Sequence, residues 1–198
     1  MIIIRQIVNE IFTSNTYVIS QENSKDYWLV DIGDYSKVID LLPTDAVIKG
    51  VFLTHTHFDH IYGINLLLKE YPNCVIYTSR YGYEALQSAK KNFSLYHQNP
   101  IEYKGDNIVI LKEADTISLY KDVNIKVYES YGHCPSCLTY IVKQYLFTGD
   151  AYIPNIPVVS KLPKGNKELA EKSKNKILYL SKGKIICAGH GPIYKHFN

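Results

Sequence analysis

Short apolar runs separated by polar segments recur along the whole chain. Runs of about four to eight residues that are continuously apolar, or that alternate with polar residues, are typical of β-strands. The pattern therefore predicts strands at residues 2–8, 16–20, 27–30, 50–53, 75–78, 108–111, 125–131, 138–142, 145–148 and 185–188.

Apolar positions spaced by three and four residues predict helices. These helices span residues 35–42, 61–71, 83–91 and 167–180. Pro43 and Pro72 follow the first two helices, and proline ends a helix because it lacks the N–H that the helical hydrogen bond needs. Residues 92–107 are polar and contain Pro100 and Gly105, so we expect an irregular loop there.

Strand-rich stretches occur in both halves of the chain, and helices follow each of them. This arrangement is typical of a layered α/β fold, in which two sheets lie inside and helices lie outside. No repeat, low-complexity tract or linker interrupts the pattern. A chain of 198 residues is long enough to bury one core, so we expect a single domain over residues 1–198.

Several predicted strands are followed by side chains that can bind metals. A cluster of His and Asp at 55–60 follows the strand at 50–53, and His133, Asp150 and His190 each come soon after a later strand. Binding groups at the carboxyl ends of strands are the usual arrangement in α/β proteins. We therefore expect these side chains to form one site.

The charge balance argues against some partners. The chain carries 22 basic and 19 acidic side chains, a formal net charge of +3, with the lysines spread along the sequence. So small a surplus disfavours nucleic acid and anionic membranes as partners. No run approaches the roughly 18 apolar residues of a membrane span, and the first residues do not resemble a signal peptide. We therefore expect a cytoplasmic protein whose four cysteines are free thiols.

The cluster at 55–60 offers His55, His57, Asp59 and His60 within six positions. Strand side chains alternate, so in an extended segment His55 and His57 point to the same side and can bind one cation. Asp59 and His60 come after the turn and can face a second cation. Imidazole and carboxylate ligands suit zinc, and also iron or manganese.

Five motifs follow one another along nearly the whole chain. They are Trp-Leu-Val-Asp-Ile-Gly at 28–33, His-X-His-X-Asp-His at 55–60 followed by Gly63, Tyr-Gly-His-Cys-Pro-Ser at 131–136, Leu-Phe-Thr-Gly-Asp at 146–150 and Ala-Gly-His-Gly-Pro at 188–192. In this order they resemble the motifs of the metallo-β-lactamase superfamily. The resemblance implies a four-layer αβ/βα sandwich, in agreement with the layered fold that the apolar pattern predicts.

The resemblance also implies a metal site with two divalent ions, of which Zn²⁺ is the first expectation and iron or manganese the alternatives. His55, His57 and His133 would bind the first ion, Asp59, His60 and His190 the second, and Asp150 would bridge both. Asp59 would also orient the attacking water and pass on a proton, which makes it the expected catalytic residue. Asp31 either orients a ligand or forms the turn after its strand.

The motif set is most similar to that of glyoxalase II-like hydrolases, so we expect cleavage of a small thioester or ester. His57 replaces the Glu of flavodiiron-type members, and Asp150 replaces the Cys or Ser of β-lactamases, which disfavours both activities. A mononuclear iron persulfide dioxygenase, a lactonase and a phosphodiesterase remain as alternatives. The sequence ends eight residues after His190, where glyoxalase II has a helical region that helps to bind glutathione. Glutathione thioesters are therefore less expected as substrates.

Cys134 and Cys137 form Cys-Pro-Ser-Cys directly after His133. A pair with this spacing suits redox control or a further metal site, but no second pair completes a four-cysteine site. We favour the interpretation that Cys134 and Cys137 are simply small residues in a turn. His97 is expected to be solvated, with contact to a substrate as the alternative, and His196 in the tail is expected to have no specific role. The sequence leaves the oligomeric state open.

Overall fold

The computed structural model describes residues 1–195, so His196 lies outside the described residues. The first half of the chain builds one six-stranded mixed sheet. Its strands are β1 (Ile2–Val8), β2 (Asn15–Gln21), β3 (Asp26–Val30), β4 (Val47–Phe52), β5 (Val75–Thr78) and β6 (Ile108–Ile110). They lie side by side in chain order; β1 to β3 pair antiparallel, and β3 to β6 pair parallel.

The second half builds another six-stranded sheet. Its strands are β7 (Thr116–Tyr120), β8 (Val123–Glu129), β9 (Leu138–Val142), β10 (Tyr145–Gly149), β11 (Ile185–Ala188) and β12 (Tyr194–Lys195). They also lie in chain order, and every neighbouring pair is antiparallel except β10 and β11. That parallel pair needs a crossover connection, which contains the longest helix of the described chain.

The helices are short except for the last one. They are α1 (Tyr35–Leu41), α2 (Ile64–Glu70), α3 (Arg80–Leu86) and α4 (Lys167–Leu180). Two single turns of 3₁₀ helix lie at Phe58–His60 and Ser94–Tyr96. The first of these turns carries two of the predicted metal ligands.

The main core lies between the two sheets. Tyr17 of β2 meets Phe147 of β10 edge to face at 5.4 Å between ring centroids, and Phe52 of β4 meets Tyr140 of β9 at 5.5 Å. All four rings are almost fully buried. Burial of a large apolar side chain stabilises a fold by roughly 1.5–3 kcal/mol, so these contacts hold the two sheets face to face.

Helices cover the outer face of each sheet. Val38 of α1 and Leu67 of α2 join the apolar cluster beneath the first sheet, whereas Ile177 of α4 packs in a cluster with Ile141 and Ile186 of the second. The layers therefore run helix, sheet, sheet, helix. This is the αβ/βα sandwich that the sequence predicts, and the interior strands read as continuous apolar runs because both of their faces are buried.

Two helices are placed differently from the prediction. The helix predicted at 83–91 is α3, which begins at Arg80 because the Ser79 hydroxyl accepts a hydrogen bond from the Gly82 backbone N–H. The helix predicted at 61–71 starts only at Ile64. The Ser79 cap therefore outweighs the apolar spacing at the start of α3, whereas α2 starts at Ile64 without a side-chain cap.

Two edge strands were not predicted. β7 and β12 form the outer edges of the second sheet, and most of their residues are exposed or half-buried. Polar residues on an edge strand break the apolar run by which strands are recognised. The strand predicted at 125–131 is β8 and lies two residues earlier, at Val123–Glu129.

Within residues 1–195, every helix is too short or too polar to cross a membrane.

Candidate metal centre

All seven predicted ligands lie at one edge of the sandwich, where β4, β10 and β11 end and where β8 turns into β9. Six of them fall into two groups of three. The nitrogen atoms of His55, His57 and His133 lie within 4.8 Å of one another and form the first group. The ligand atoms of Asp59, His60 and His190 are equally close and form the second group.

The first group consists of three buried imidazoles. His57 Nδ1 and His133 Nε2 are 3.0 Å apart, and the ring centroids of His55 and His133 are 5.1 Å apart. Burial lowers the pKa of His55 well below its ordinary value, and the neighbouring histidines lower it further. Burial also lowers the pKa of His133. Three imidazole nitrogens this close together are suitable ligands for one cation.

The second group mixes a carboxylate with two imidazoles. Asp59 Oδ2 is 3.4 Å from both His60 Nε2 and His190 Nε2. Burial alone would lower the pKa of His60, but the charges of Asp59 and Asp150 outweigh it and raise this pKa to about 9. At His190 the hydrogen bonds with Asp150 and Asp59, together with their charges, likewise outweigh burial and raise the pKa to about 10. Metal binding by this group would release these protons, because an imidazole must be deprotonated to act as a ligand.

Asp150 lies between the two groups. Its carboxylate oxygens are 3.7 Å from His133 Nε2 in the first group, and 3.6 Å and 3.5 Å from His60 Nε2 and His190 Nε2 in the second. Burial would raise its pKa, but the hydrogen bond with His190 and the charge of His60 hold the pKa below its ordinary value. An ionised carboxylate in this position can relieve the repulsion between two adjacent cations.

Buried polar atoms that lack a hydrogen-bond partner indicate whether the residues of the site fit a metal ion. Within residues 1–195, His55 Nε2, His60 Nε2 and Asp150 Oδ1 are buried without a hydrogen-bond partner. An unsatisfied buried polar group costs about 1–3 kcal/mol, more if it is charged. Ligation of divalent cations would satisfy all three atoms, so the donor set fits metal binding.

Asp31 orients a ligand of the second group. The carboxylate accepts hydrogen bonds from the Thr54 backbone N–H and hydroxyl, both at 2.7 Å, and lies 2.9 Å from His60 Nδ1. Asp31 can therefore accept a hydrogen bond from His60 Nδ1–H, which leaves Nε2 free to face the second group. These contacts support the orienting role, and the φ of +58° at Asp31 also places it in the turn after β3, so both interpretations that the sequence left open apply.

Some residues that hold the site were not predicted. The Val159 carbonyl lies 2.7 Å from His133 Nδ1, and the Ser14 hydroxyl donates to the Asp59 carbonyl at 2.6 Å. The Tyr17 hydroxyl donates to the Ala188 carbonyl at 2.7 Å, two residues before His190. Each contact involves a backbone carbonyl, for which the sequence of side chains carries no signal.

Gly189 allows close approach between the ends of β10 and β11. A Cβ atom at this position would lie 2.1 Å from Asp150 Oδ1, far inside contact distance. The glycine before His190 is therefore required by packing against the carboxylate that lies between the two ligand groups.

A cleft of about 280 Å³ opens onto both ligand groups. Its apolar wall contains Phe12, Phe58, Phe93, Val159 and Leu162. His97, which was expected to be solvated, lines the same cleft, and its ring stacks on Phe58 with centroids 3.8 Å apart. The His97 side chain is half-buried, because the loop after α3 folds over the site, and this position suits the alternative of substrate contact.

A four-layer αβ/βα sandwich with His and Asp ligand groups at one edge defines a class of metal-binding proteins. The chain belongs to the metallo-beta-lactamase superfamily, whose sequence model matches residues 10–190. This match and the likenesses below confirm the family resemblance and the fold class predicted from the sequence.

The proteins similar to this chain include a hydroxyacylglutathione hydrolase and a metallo-beta-lactamase. A hydroxyacylglutathione hydrolase of Pectobacterium carotovorum subsp. carotovorum (strain PC1) is 28% identical over 163 residues, which is 82% of this chain and 56% of that protein. The chain thus spans about half the length of the curated relatives it matches. The BLEG-1 B3 metallo-beta-lactamase structure superposes with a TM-score of 0.87 at 25% identity, covering 98% of this chain and 94% of the other. TTHA1623 in a di-iron-bound form has a TM-score of 0.80 at 19% identity, covering 96% and 94%.

Proposed function

We propose that this protein is a metal-dependent hydrolase with a dinuclear centre that cleaves a small thioester or ester. The observation that carries the proposal is the position of Asp150, whose carboxylate lies within 4 Å of histidines from both ligand groups. A single-metal enzyme would need only one of the two groups. The His and carboxylate donors suit Zn²⁺ best.

Two divalent cations, when bound, supply a hydroxide nucleophile near neutral pH and polarise the bond under attack. In the proposal His55, His57 and His133 would hold the first ion, Asp59, His60 and His190 would hold the second, and Asp150 would serve both. Asp31 keeps His60 in the tautomer that can act as a ligand, through the contact at His60 Nδ1.

Asp59 is proposed to position the attacking water and to carry its proton. Although burial raises the pKa of this carboxyl, His60 and His190 hold it below its ordinary value, so Asp59 is ionised at neutral pH. Its side chain also lines the cleft, where a substrate can reach it. A carboxylate so placed can accept a proton from water and deliver it to the leaving group.

The cleft supports a small-molecule substrate. A space of about 280 Å³ with an aromatic and aliphatic wall fits an apolar acyl group. Its lining within residues 1–195 includes no lysine or arginine that would pair with the carboxylates of glutathione. We therefore propose a thioester or ester whose leaving group is smaller and less charged than glutathione, although the Pectobacterium relative is named for a glutathione substrate.

The domain organisation, partners and localisation are proposed on the sequence pattern. We propose one domain over residues 1–198 that acts on a small molecule, and neither on nucleic acid nor at a membrane. Four free, buried cysteines are compatible with the reducing environment of the cytoplasm, where we place the protein.

A hydrolysis screen tests the proposed activity. The Zn²⁺-loaded protein would be assayed on thioesters, aryl esters, lactones, phosphodiesters and β-lactams, and on a persulfide with oxygen uptake recorded. We expect thioesters or esters to be turned over fastest. Asp150→Asn should abolish this turnover, whereas Asp40→Asn, an exposed position on α1, should retain it. Fastest turnover of a β-lactam or phosphodiester, or oxygen uptake with a persulfide, would overturn the proposal.

A further inference from the structure

Cys134 and Cys137 face each other at the turn between β8 and β9. Their sulphur atoms are 3.2 Å apart, and both side chains are buried as free thiols. A disulfide needs a separation of about 2.0 Å, so roughly 1 Å of approach would allow a bond to form. The turn therefore holds two thiols in a geometry that is close to a cross-link.

Cys134, and not Cys137, lies in the lining of a small cavity at this turn. With Tyr81, Lys91 and Phe93 it borders a depression of about 10 Å³, which is close to the space that one water-sized molecule needs. A small oxidant such as a peroxide is therefore expected to reach Cys134 first. Cys137 then lies behind it, in position to react with the oxidised sulphur.

The turn is also joined to the first ligand group on two sides. Cys134 directly follows His133 in sequence, and its sulphur lies 3.1 Å from the Ser136 hydroxyl. That hydroxyl accepts a hydrogen bond at 3.2 Å from the backbone N–H of Thr56, the residue between His55 and His57. A movement of the Cys134 and Cys137 sulphurs is thus transmitted to the backbone that carries all three histidines.

We propose that Cys134 and Cys137 are a redox modification site, at which a peroxide closes a reversible disulfide that weakens metal binding by His55, His57 and His133. The second half of this inference rests on the proposed metal centre. The first half, disulfide formation, does not depend on it.

The chemistry balances with one peroxide per pair. The Cys134 sulphur attacks a peroxide oxygen, so that an S–O bond forms, the O–O bond breaks, and the first water (or alcohol) leaves with the thiol proton. The Cys137 sulphur then attacks the sulfenic acid, so that the S–S bond forms, the S–O bond breaks, and a water leaves. A dithiol reverses the change by two exchange steps and is itself oxidised to a disulfide.

Closing the disulfide draws Cys134 away from its present contacts. The adjoining His133 backbone and the Ser136 hydroxyl must shift with it, which disturbs the hydrogen bond to Thr56. Changes in the groups that orient metal ligands usually lower metal affinity by roughly 10- to 100-fold. We expect an effect of that size on the first ligand group.

Thiol mapping tests the modification itself. Reduced protein, with and without Zn²⁺, would be treated with hydrogen peroxide, alkylated in denaturant and digested with trypsin. Both cysteines lie in one tryptic peptide, residues 127–143, which contains neither Cys74 nor Cys187. We expect this peptide to lose two hydrogens and both alkylation sites, and to regain them after dithiothreitol. Alkylation of both cysteines after peroxide treatment, in either form, would overturn the inference.

Metal competition tests the coupling. Oxidised and reduced wild-type protein would compete with a chromophoric chelator for Zn²⁺, and we expect one site to weaken by about 10- to 100-fold on oxidation. The double variant Cys134→Ala/Cys137→Ala should show the same affinity before and after peroxide. Equal Zn²⁺ affinity of oxidised and reduced wild type would overturn the coupling. A reduced protein that binds no Zn²⁺ would instead overturn the proposed function, and the coupling with it, while the thiol map still decides whether the disulfide forms.

Discussion

Several histidines of the centre have one ring nitrogen near a polar partner and the other turned towards the ligand groups. His60 Nδ1 lies 2.9 Å from Asp31, His133 Nδ1 lies 2.7 Å from the Val159 carbonyl, and His55 Nδ1 lies 3.1 Å from the Thr54 hydroxyl. These contacts select the tautomer in which Nε2 carries the lone pair for a metal. At the scale of single residues, the site is arranged for ligation before any cation binds.

Asp59 is the residue whose replacement should separate chemistry from folding. Asp59→Asn removes the charge and the proton acceptor but keeps the size of the side chain. We expect turnover of a thioester or ester to fall by about 10²- to 10⁴-fold, the usual contribution of a general base. The protein should stay folded, with a lower melting temperature because the ion pairs with His60 and His190 are lost.

Steady-state kinetics and thermal melting check this prediction, with Asp40→Asn as the matched exposed control. Metal content must be measured in the same samples, because Asp59 is also a proposed ligand. Wild-type turnover in Asp59→Asn would remove the role assigned to this carboxylate.

At the scale of elements, the centre depends on how closely the ends of β10 and β11 approach each other. The two strands pair in parallel, and their register shifts between Phe147 and Gly149. The Gly189 backbone N–H then donates to the Gly149 carbonyl at 2.9 Å, which brings the ends that carry Asp150 and His190 together. A side chain at Gly189 would displace the Asp150 carboxylate.

Gly189→Ala should therefore damage the metal centre more than the fold. Overpacking of this kind costs about 1–3 kcal/mol, and the Asp150 carboxylate must move to make room. We expect clear loss of bound metal and of turnover, measured by elemental analysis and kinetics.

Gly183→Ala is the matched control for this substitution. Its φ of +66° makes alanine unfavourable by about 1–2 kcal/mol, but an added Cβ would meet no atom within 4 Å. Stability should fall in this variant while metal content stays at the wild-type level. Equal metal content in both variants would show that the close approach at Gly189 is unimportant.

Much of the element pattern could be predicted from the sequence because burial on both sheet faces leaves continuous apolar runs. Strands such as β5 and β9, and helix α4, have the predicted bounds. The seven candidate ligands could be assigned to one site because each follows such a run. The edge strands β7 and β12, the Val159 carbonyl and the position of His97 could not be predicted, since they depend on partial exposure, backbone atoms or the path of a loop.

At the scale of the whole molecule, the two sheets bring opposing charges to one buried edge. In the metal-free protein the pKa values of His60 and His190 are raised to about 9 and about 10 from an ordinary value of 6.5. The pKa values of Asp59 and Asp150 are lowered from an ordinary value of 3.8. Each carboxylate–imidazolium contact therefore stabilises the fold only within a limited pH range.

The sign of the pH dependence follows from these shifts. The histidine contribution is fully present below pH 6.5 and is lost as the pH rises towards 9 and 10, whereas the carboxylate contribution is present above pH 3.8 and is lost as the pH falls. These contacts should thus stabilise the metal-free protein most between about pH 4 and 6.5. The lowered pKa values of His55 and His133 act in the opposite direction and reduce stability as the pH falls below 6.5, so the optimum lies near the upper end of this range.

Thermal melting from pH 5 to 9.5 checks this prediction in metal-free and Zn²⁺-loaded protein. The melting temperature of the metal-free form should fall above pH 6.5. The Zn²⁺-loaded form should keep its melting temperature, because the cation replaces the protons. A melting temperature of the metal-free form that stays level or rises over this range would contradict the charge arrangement.

Metal stoichiometry shows whether Asp150 joins the two ligand groups into one dinuclear centre. Protein expressed with sufficient metal would be purified and its transition metals counted per chain by elemental analysis. We expect about two ions per chain, chiefly zinc, by the number of ligands available for two such sites. One ion or none per chain would contradict the dinuclear centre.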